Sequence, residues 1–228
     1  MRASHAWRFH IPVCYNISAL MNLRRGYVVD QTLEARVRAI LRSRGIARSK
    51  HLEAEGISRT QIRRLLNQGV LERVGWGLYR DPDAPQSERA DLAEAARRVP
   101  GGVMCLLTAL RFHGLTTVNP FEVWIAIDRK AWRPEVEHPP LRFVYLSGRS
   151  LSEGVEEHRV DGVPVRVYSA AKTIADCFKF RNKVGIDVAV EALRAYRETY
   201  PSGLEAVWRF AGMNRVERVI RPYLEAVG

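Results

Sequence analysis

IARSKHLEAEGISRTQIRRLLNQGVLERVGWGLYR, residues 46–80, carries its own punctuation. A short helix over Ser49–Glu55 stops at Gly56, a residue that takes the left-handed conformation beyond a helix end without penalty. Ser58 is an N-cap for a second helix over TQIRRLLNQ, which Gly69 closes. Ile62, Leu65 and Leu66 form its inward stripe, and Arg59, Arg63, Arg64 and Gln68 stay outside. Val70–Val74 and Leu78–Arg80 read as strands joined through Gly75-Trp76-Gly77, a hairpin signal. The stretch therefore predicts a helix-turn-helix followed at once by a β-wing.

Upstream, Leu33, Val37, Ile40 and Leu41 recur at helical spacing from Thr32, with Arg36, Arg38, Arg42 and Arg44 elsewhere and Gly45 at the end. Residues 1–30 lack periodicity and read as an irregular leader, with a second start at Met21. Downstream, Asp81-Pro82-Asp83-Ala84-Pro85 breaks the pattern and divides a domain at 31–83 from a body at 84–228. In the body, Glu88–Val99 and Met104–His113 read as helices, and Phe121–Asp128 and Leu141–Leu146 as strands. Val155–Val160 and Val163–Tyr168 flank Asp161-Gly162, a two-residue hairpin turn. Ser169 caps a helix through Phe180, and two or three more helices follow. The predicted class is α+β: an N-terminal winged helix-turn-helix and a mixed body with its strands grouped in the middle.

Charge falls unevenly on this plan. The chain of 228 residues carries +11, with a pI of about 10.1. Residues 1–83 hold 15 Lys/Arg against 7 Asp/Glu, whereas 84–228 hold 21 against 18. A basic front end on a near-neutral body suits a polyanionic partner, and nucleic acid is the commonest. Cys14, Cys105 and Cys177 are few and far apart, which argues against a disulfide framework or a zinc site; the last two sit in apolar runs as buried thiols. Apolar stretches are too short for a membrane span, and no signal peptide is evident, so the expected location is cytoplasmic.

The expected contacts follow from how a helix-turn-helix meets DNA. The start of the second helix (Ser58, Arg59, Thr60, Gln61, Arg63, Arg64, with Gln68 farther along) faces base edges in the major groove. Arg48 and Lys50 begin the preceding helix, where backbone contact is usual, and Arg73, Trp76 and Arg80 sit on or beside the wing. Two plainer readings stand beside this one. The unit could be a protein-interaction module with solvated arginines, and Trp76 could be an anchor packed against the helices.

SRTQIRRLLNQGVLERVGWGLYR resembles the N-terminal winged-helix domain of AbiEi-type antitoxins of type IV toxin–antitoxin systems. VRVYSAAKTIADCFKFRNKVGIDVAVEALRAY is similar to the C-terminal antitoxin domain of the same family, so the resemblance covers most of residues 33–200. It implies an autorepressor that binds inverted repeats in double-stranded DNA upstream of its own operon. It also implies that the C-terminal domain counteracts a nucleotidyltransferase-like toxin, with no direct complex required. Ala170 stands where the family pattern has proline, and residues 1–30 have no counterpart in it.

Other constellations point elsewhere. Ser169-Ala170-Ala171-Lys172 fits the Ser-x-x-Lys pattern of acyl-transfer enzymes, but its companion motifs are absent and Ser169 is explained as a helix cap. Lys172 and Asp176, four apart, read as a surface helical pair, with Ile174, Ala175 and Phe178 on the core side. Asp128-Arg129-Lys130 after an apolar strand, with Glu122 as the nearest second acid, is the pattern of a metal-dependent nuclease and supplies an alternative function. A solitary regulator without a toxin is the other. His113 reads as a helix C-terminal residue, and Arg181, Lys183, Arg194 and Arg197 as a basic set on the last helices. The expectation is a regulator rather than an enzyme, with no catalytic residue, metal site or cofactor.

Overall fold

The computed structural model describes residues 33–85, 87–136 and 138–227. The leader expected at 1–30, and Cys14 within it, lie outside the described residues. Among the described residues the protein is a mixed α+β structure built on two sheets.

The first sheet is drawn from residues 46–80. Helix α1 (33–44) precedes it, burying Leu33, Val37 and Leu41, one residue per turn, and ending at Gly45 with φ +66°. Strand β1 (Ile46–Arg48) follows, then α2 (Ser49–Ala54), α3 (Arg59–Asn67), β2 (Glu72–Gly75) and β3 (Leu78–Arg80). The strands lie in the order β1-β3-β2, both pairs antiparallel. Ser58 caps α3 as its side chain predicts: Gln61 N–H donates to Ser58 Oγ at 3.3 Å, and Ser58 N–H donates to Gln61 Oε1 at 2.8 Å. Ile62 and Leu65 from α3 pack with α1, Leu52, Ile57, Val70 and Leu71 in one core. Arg38 on α1 clamps the turn after β3, pairing with Asp81 at 3.0 Å and Asp83 at 2.8 Å.

Beyond the Pro-rich break come α4 (Ala90–Arg98), β4 (Val103–Met104), α5 (Leu106–Phe112), β5 (Val123–Asp128), β6 (Leu141–Leu146), α6 (Arg149–Ser152), β7 (Val155–Val160) and β8 (Val163–Tyr168). Helices α7 (Ala170–Lys179), α8 (Arg181–Val184), α9 (Ile186–Thr199), α10 (Leu204–Asn214) and α11 (Glu217–Val227) follow. The five strands lie in the order β6-β5-β4-β8-β7. β4 pairs antiparallel with β5 and parallel with β8, β5 pairs parallel with β6, and β7 closes on β8 as a hairpin. Asp161 and Gly162 both have positive φ, +47° and +75°, the geometry their hairpin turn requires. Helix α4 covers one sheet face, and α5, α7, α9, α10 and α11 build the larger core on the other. β5 is buried on both faces, which accounts for its unbroken apolar run.

Two expectations need correction. Met104 is a strand residue rather than the start of a helix, and Cys105 is the N-cap of α5. Lys172 and Asp176 are not a surface pair: they are 0% and 1% exposed, with Nζ 2.5 Å from Oδ2. Helix α7 lies between the sheet and the outer helices, so even the side its charges occupy is covered.

The two sheets share a core. Ile46 of β1 and Leu78 of β3 pack with Leu92, Val99, Ile125 and Val163 of the body. Where α1 ends, a Cβ on Gly45 would fall 1.7 Å from the carbonyl oxygen of Asp161 at the β7–β8 turn. Gly45→Ala is therefore expected to destabilise the protein by more than the ~1–2 kcal/mol that a positive φ alone costs a side chain. Gly69 has φ +71°, but a Cβ added there would meet nothing within 4 Å, so Gly69→Ala isolates the conformational cost. Denaturant melts should rank the two variants in that order.

Candidate nucleic-acid interface

Helix α3 presents a face in which every outward group is cationic or polar and uncharged. Arg59, Thr60, Arg63, Arg64 and Gln68 are exposed while Ile62 and Leu65 are sealed, so the stripe is held rigidly by its own apolar side. Arg63 has no hydrogen-bond or ion-pair partner among the described residues. Arg59 reaches back to α2, its Nε 2.6 Å from Glu53 Oε1. Ser58 and Gln61 spend their oxygens on the reciprocal cap that opens the helix. Lys50 is exposed on α2.

The β2–β3 hairpin stands beside α2. Ser49 N–H donates to Gly77 O at 2.9 Å, tying the hairpin turn to the first residue of α2. Trp76 at the turn is 91% exposed and carries the Arg73 guanidinium 5.1 Å from its ring centroid. That exposure removes the reading of Trp76 as a packed anchor. Arg73 also donates to Gly75 O at 3.2 Å. Arg80 is half-buried, with its Nε 2.7 Å from Glu72 Oε2 across the strand pair.

Arg48 is placed differently from the rest. It is half-buried, and its Nη2 donates to Arg97 O at 2.6 Å, in the last turn of α4. Lys50, the α3 face and the hairpin tip are thus all exposed on the first unit, whereas the Arg48 guanidinium turns into the joint with the body. Sequence reading missed the body's part in this. Arg98 of α4 donates to Val74 O, bonds Glu94 at 2.5 Å and sits beneath Gly75, so the hairpin rests on α4. The only sequence signal was the basic end of α4, Arg97-Arg98, which is ordinary helix-end chemistry.

The residues of the rival constellations have local partners. Ser169 accepts from Lys172 N–H as the α7 cap, at 3.4 Å. Asp128 accepts from Lys130 N–H at 2.8 Å, and Glu122 pairs with Arg142 at 2.9 Å. Glu122 immediately precedes the extended strand β5 and Asp128 ends it, about 20 Å away at the usual rise per residue, too far to share one metal. Of the basic set on the last helices, Arg181 donates to Phe178 O at 3.1 Å and Arg197 to Val227 O at 3.2 Å. His113 ends α5, and its Nε2 lies 2.8 Å from Tyr168 O. No helix among the described residues is long and apolar enough to cross a membrane.

Comparison with curated proteins gave no match. Residues 35–80, which include Lys50, the α3 face and the β2–β3 hairpin, match the model of the family described as transcriptional regulator, AbiEi antitoxin.

Proposed function

We propose that residues 33–80 are a winged helix-turn-helix that binds double-stranded DNA, and that the chain is an autorepressor acting on inverted repeats upstream of its own operon. The observation that carries this is the α3 face: exposed Arg63 and Arg64, with Thr60 and Gln68, on a helix anchored by Ile62 and Leu65. Arg pairs bidentately with guanine and Gln with adenine, and the N-terminal half of such a helix is the part that enters the major groove. The element order α1-β1-α2-α3-β2-β3, with β1 closing the sheet against β3, supports the winged form. Lys50 and the Arg73–Trp76 pair then fall where phosphate and minor-groove contacts are made.

The description of the matching family, which names an antitoxin, supports a second role as an antitoxin; the reading extends this to a type IV system in which the chain counteracts a nucleotidyltransferase-like toxin without a stable complex. In this reading the body from 84 to 228 does the counteracting, the protein works in the cytoplasm, and it is a regulator rather than an enzyme. The test joins both roles. The chain should retard a fragment of its own upstream DNA with an affinity that falls steeply with salt. Expressed in trans, it should relieve the growth arrest caused by the neighbouring gene. Binding that is equal for upstream and unrelated DNA would overturn the repressor role, and an unrelieved arrest would overturn the antitoxin role.

A further inference from the structure

The joint between the first unit and the body holds a cluster of cations with too few anions. Arg48 donates to Arg97 O at 2.6 Å, and Arg97 Nη2 donates to Arg44 O at 2.8 Å. Each guanidinium thus takes a carbonyl at the end of a helix, Arg97 at the end of α1 and Arg48 in the last turn of α4. Helix-end carbonyls offer only partial negative charge. Arg44, Arg48, Lys50 and Arg97 make no ion pair with a carboxylate among the described residues.

Two further observations say that the charge is uncompensated. Arg97 Nε is buried and has no acceptor, the one such side-chain nitrogen or oxygen among the described residues. A buried donor left unpaired costs free energy, and nearly all buried donors in native structures have a partner. Burial holds His51 below the usual imidazole range, and Arg44, Lys50, Arg97 and Arg48 push it the same way. Burial likewise lowers Arg97, with Arg44 and Arg48 repelling it.

We propose that Arg44, Arg48, Lys50, His51 and Arg97 form a phosphate site across the joint, and that the phosphate it seats belongs to the backbone of the bound duplex. The proposal rests on the DNA-binding reading above. A tetrahedral phosphate group accepts hydrogen bonds from several directions at once, which suits three guanidiniums, an ammonium and an imidazole better than a planar carboxylate does. The position fits as well, because Ser49, between Arg48 and Lys50, is bonded to Gly77 at the exposed hairpin turn. One body residue, Arg97, thereby joins the first unit's hold on the DNA backbone.

Two measurements on the full chain test this. In thermal melts at fixed ionic strength, inorganic phosphate is expected to raise the midpoint saturably in the wild type and not in Arg97→Gln. In DNA titrations over a range of salt, Lys50→Ala is expected to lower the slope of log K against log salt by about 0.9, the value for one phosphate contact. Arg97→Gln is expected to weaken upstream and unrelated DNA by the same factor, about tenfold, leaving sequence preference unchanged. Lys50 is exposed, so its variant is read free of any loosening of the joint. A phosphate response lost in Arg97→Gln with unaltered salt slopes would overturn the duplex as the source and leave free phosphate as the ligand. Retention of both the phosphate response and the slopes in the variants would overturn the site altogether. Should the wild type bind no DNA, the functional reading fails, and the phosphate melts still judge the site.

Discussion

Replacing Arg63 and Arg64 together with alanine is expected to abolish binding to the upstream inverted repeat while leaving the melting temperature almost unchanged. Both side chains project from the exposed side of α3, and the residues that fix the helix, Ile62 and Leu65, are untouched. Alanine is also the better helix former, so no propensity is lost. A bidentate Arg–guanine contact contributes about 1–3 kcal/mol of discrimination, so losing two weakens specific binding by roughly thirtyfold to twenty-thousandfold. Non-specific binding, carried mainly by phosphate contacts, falls far less. The comparison of specific with non-specific affinity is the decisive readout. A double variant that still prefers the repeat to unrelated DNA by the wild-type margin would remove α3 from the groove.

This face was legible in the sequence because its boundaries are written in residues with one local meaning. Gly56 and Gly69 have φ of +80° and +71°, and Ser58 with Gln61 forms the reciprocal cap. The Asp161-Gly162 turn was legible for the same reason. Strands β1 and β4 were not, and the cause is distance along the chain. β1 has three residues and takes its partner β3 some thirty positions later, and β4 has two residues set between β5 and β8. Neither is long enough to show alternation, so only the tertiary fold makes them strands. The Arg44–Arg48–Arg97 cluster was hidden likewise, since its members come from α1, β1 and α4. Trp76 was undecided between packing and display, because an aromatic between two glycines fits either until the turn is built.

Lys172 was misjudged for a different reason, and it carries the second large effect. Spacing of four places Lys172 and Asp176 on one side of α7 but says nothing of what covers that side. Lys172 Nζ is 2.5 Å from Asp176 Oδ2 and lies 4.1 Å from the centroid of the Tyr168 ring. Asn214 of α10 donates to Asp176 Oδ1 at 2.6 Å and accepts from Lys179 Nζ at 3.2 Å. Above Lys172 the chain passes as Gly154, where a Cβ would fall 2.9 Å from the lysine's own Cβ. Burial alone drives the Asp176 carboxyl upward, and Lys172 works against it by attraction and by hydrogen bonding.

Lys172→Met keeps the length and the packing but strands the carboxylate, which is expected to cost about 3–5 kcal/mol. For a chain of this size that is a fall in melting temperature of roughly 6–20 °C. Lys172→Met with Asp176→Leu removes both charges and is expected to recover most of the loss, since an apolar pair of similar volume replaces a buried ion pair at little cost. Asn214 then keeps its bond to Lys179, which limits the unpaired polar groups left behind. A single variant within about 1 kcal/mol of the wild type would show that Asp176 is not held as a charge. The same pair of variants separates stability from the antitoxin role proposed for the body. Lys172 is sealed from solvent and cannot meet a toxin or its substrate directly. The single variant should therefore fail to relieve toxicity in proportion to its lost fold, and the double variant should relieve it again. Relief that stays absent in a double variant of restored stability would mean that this buried pair serves the antitoxin role beyond holding α7 against α10.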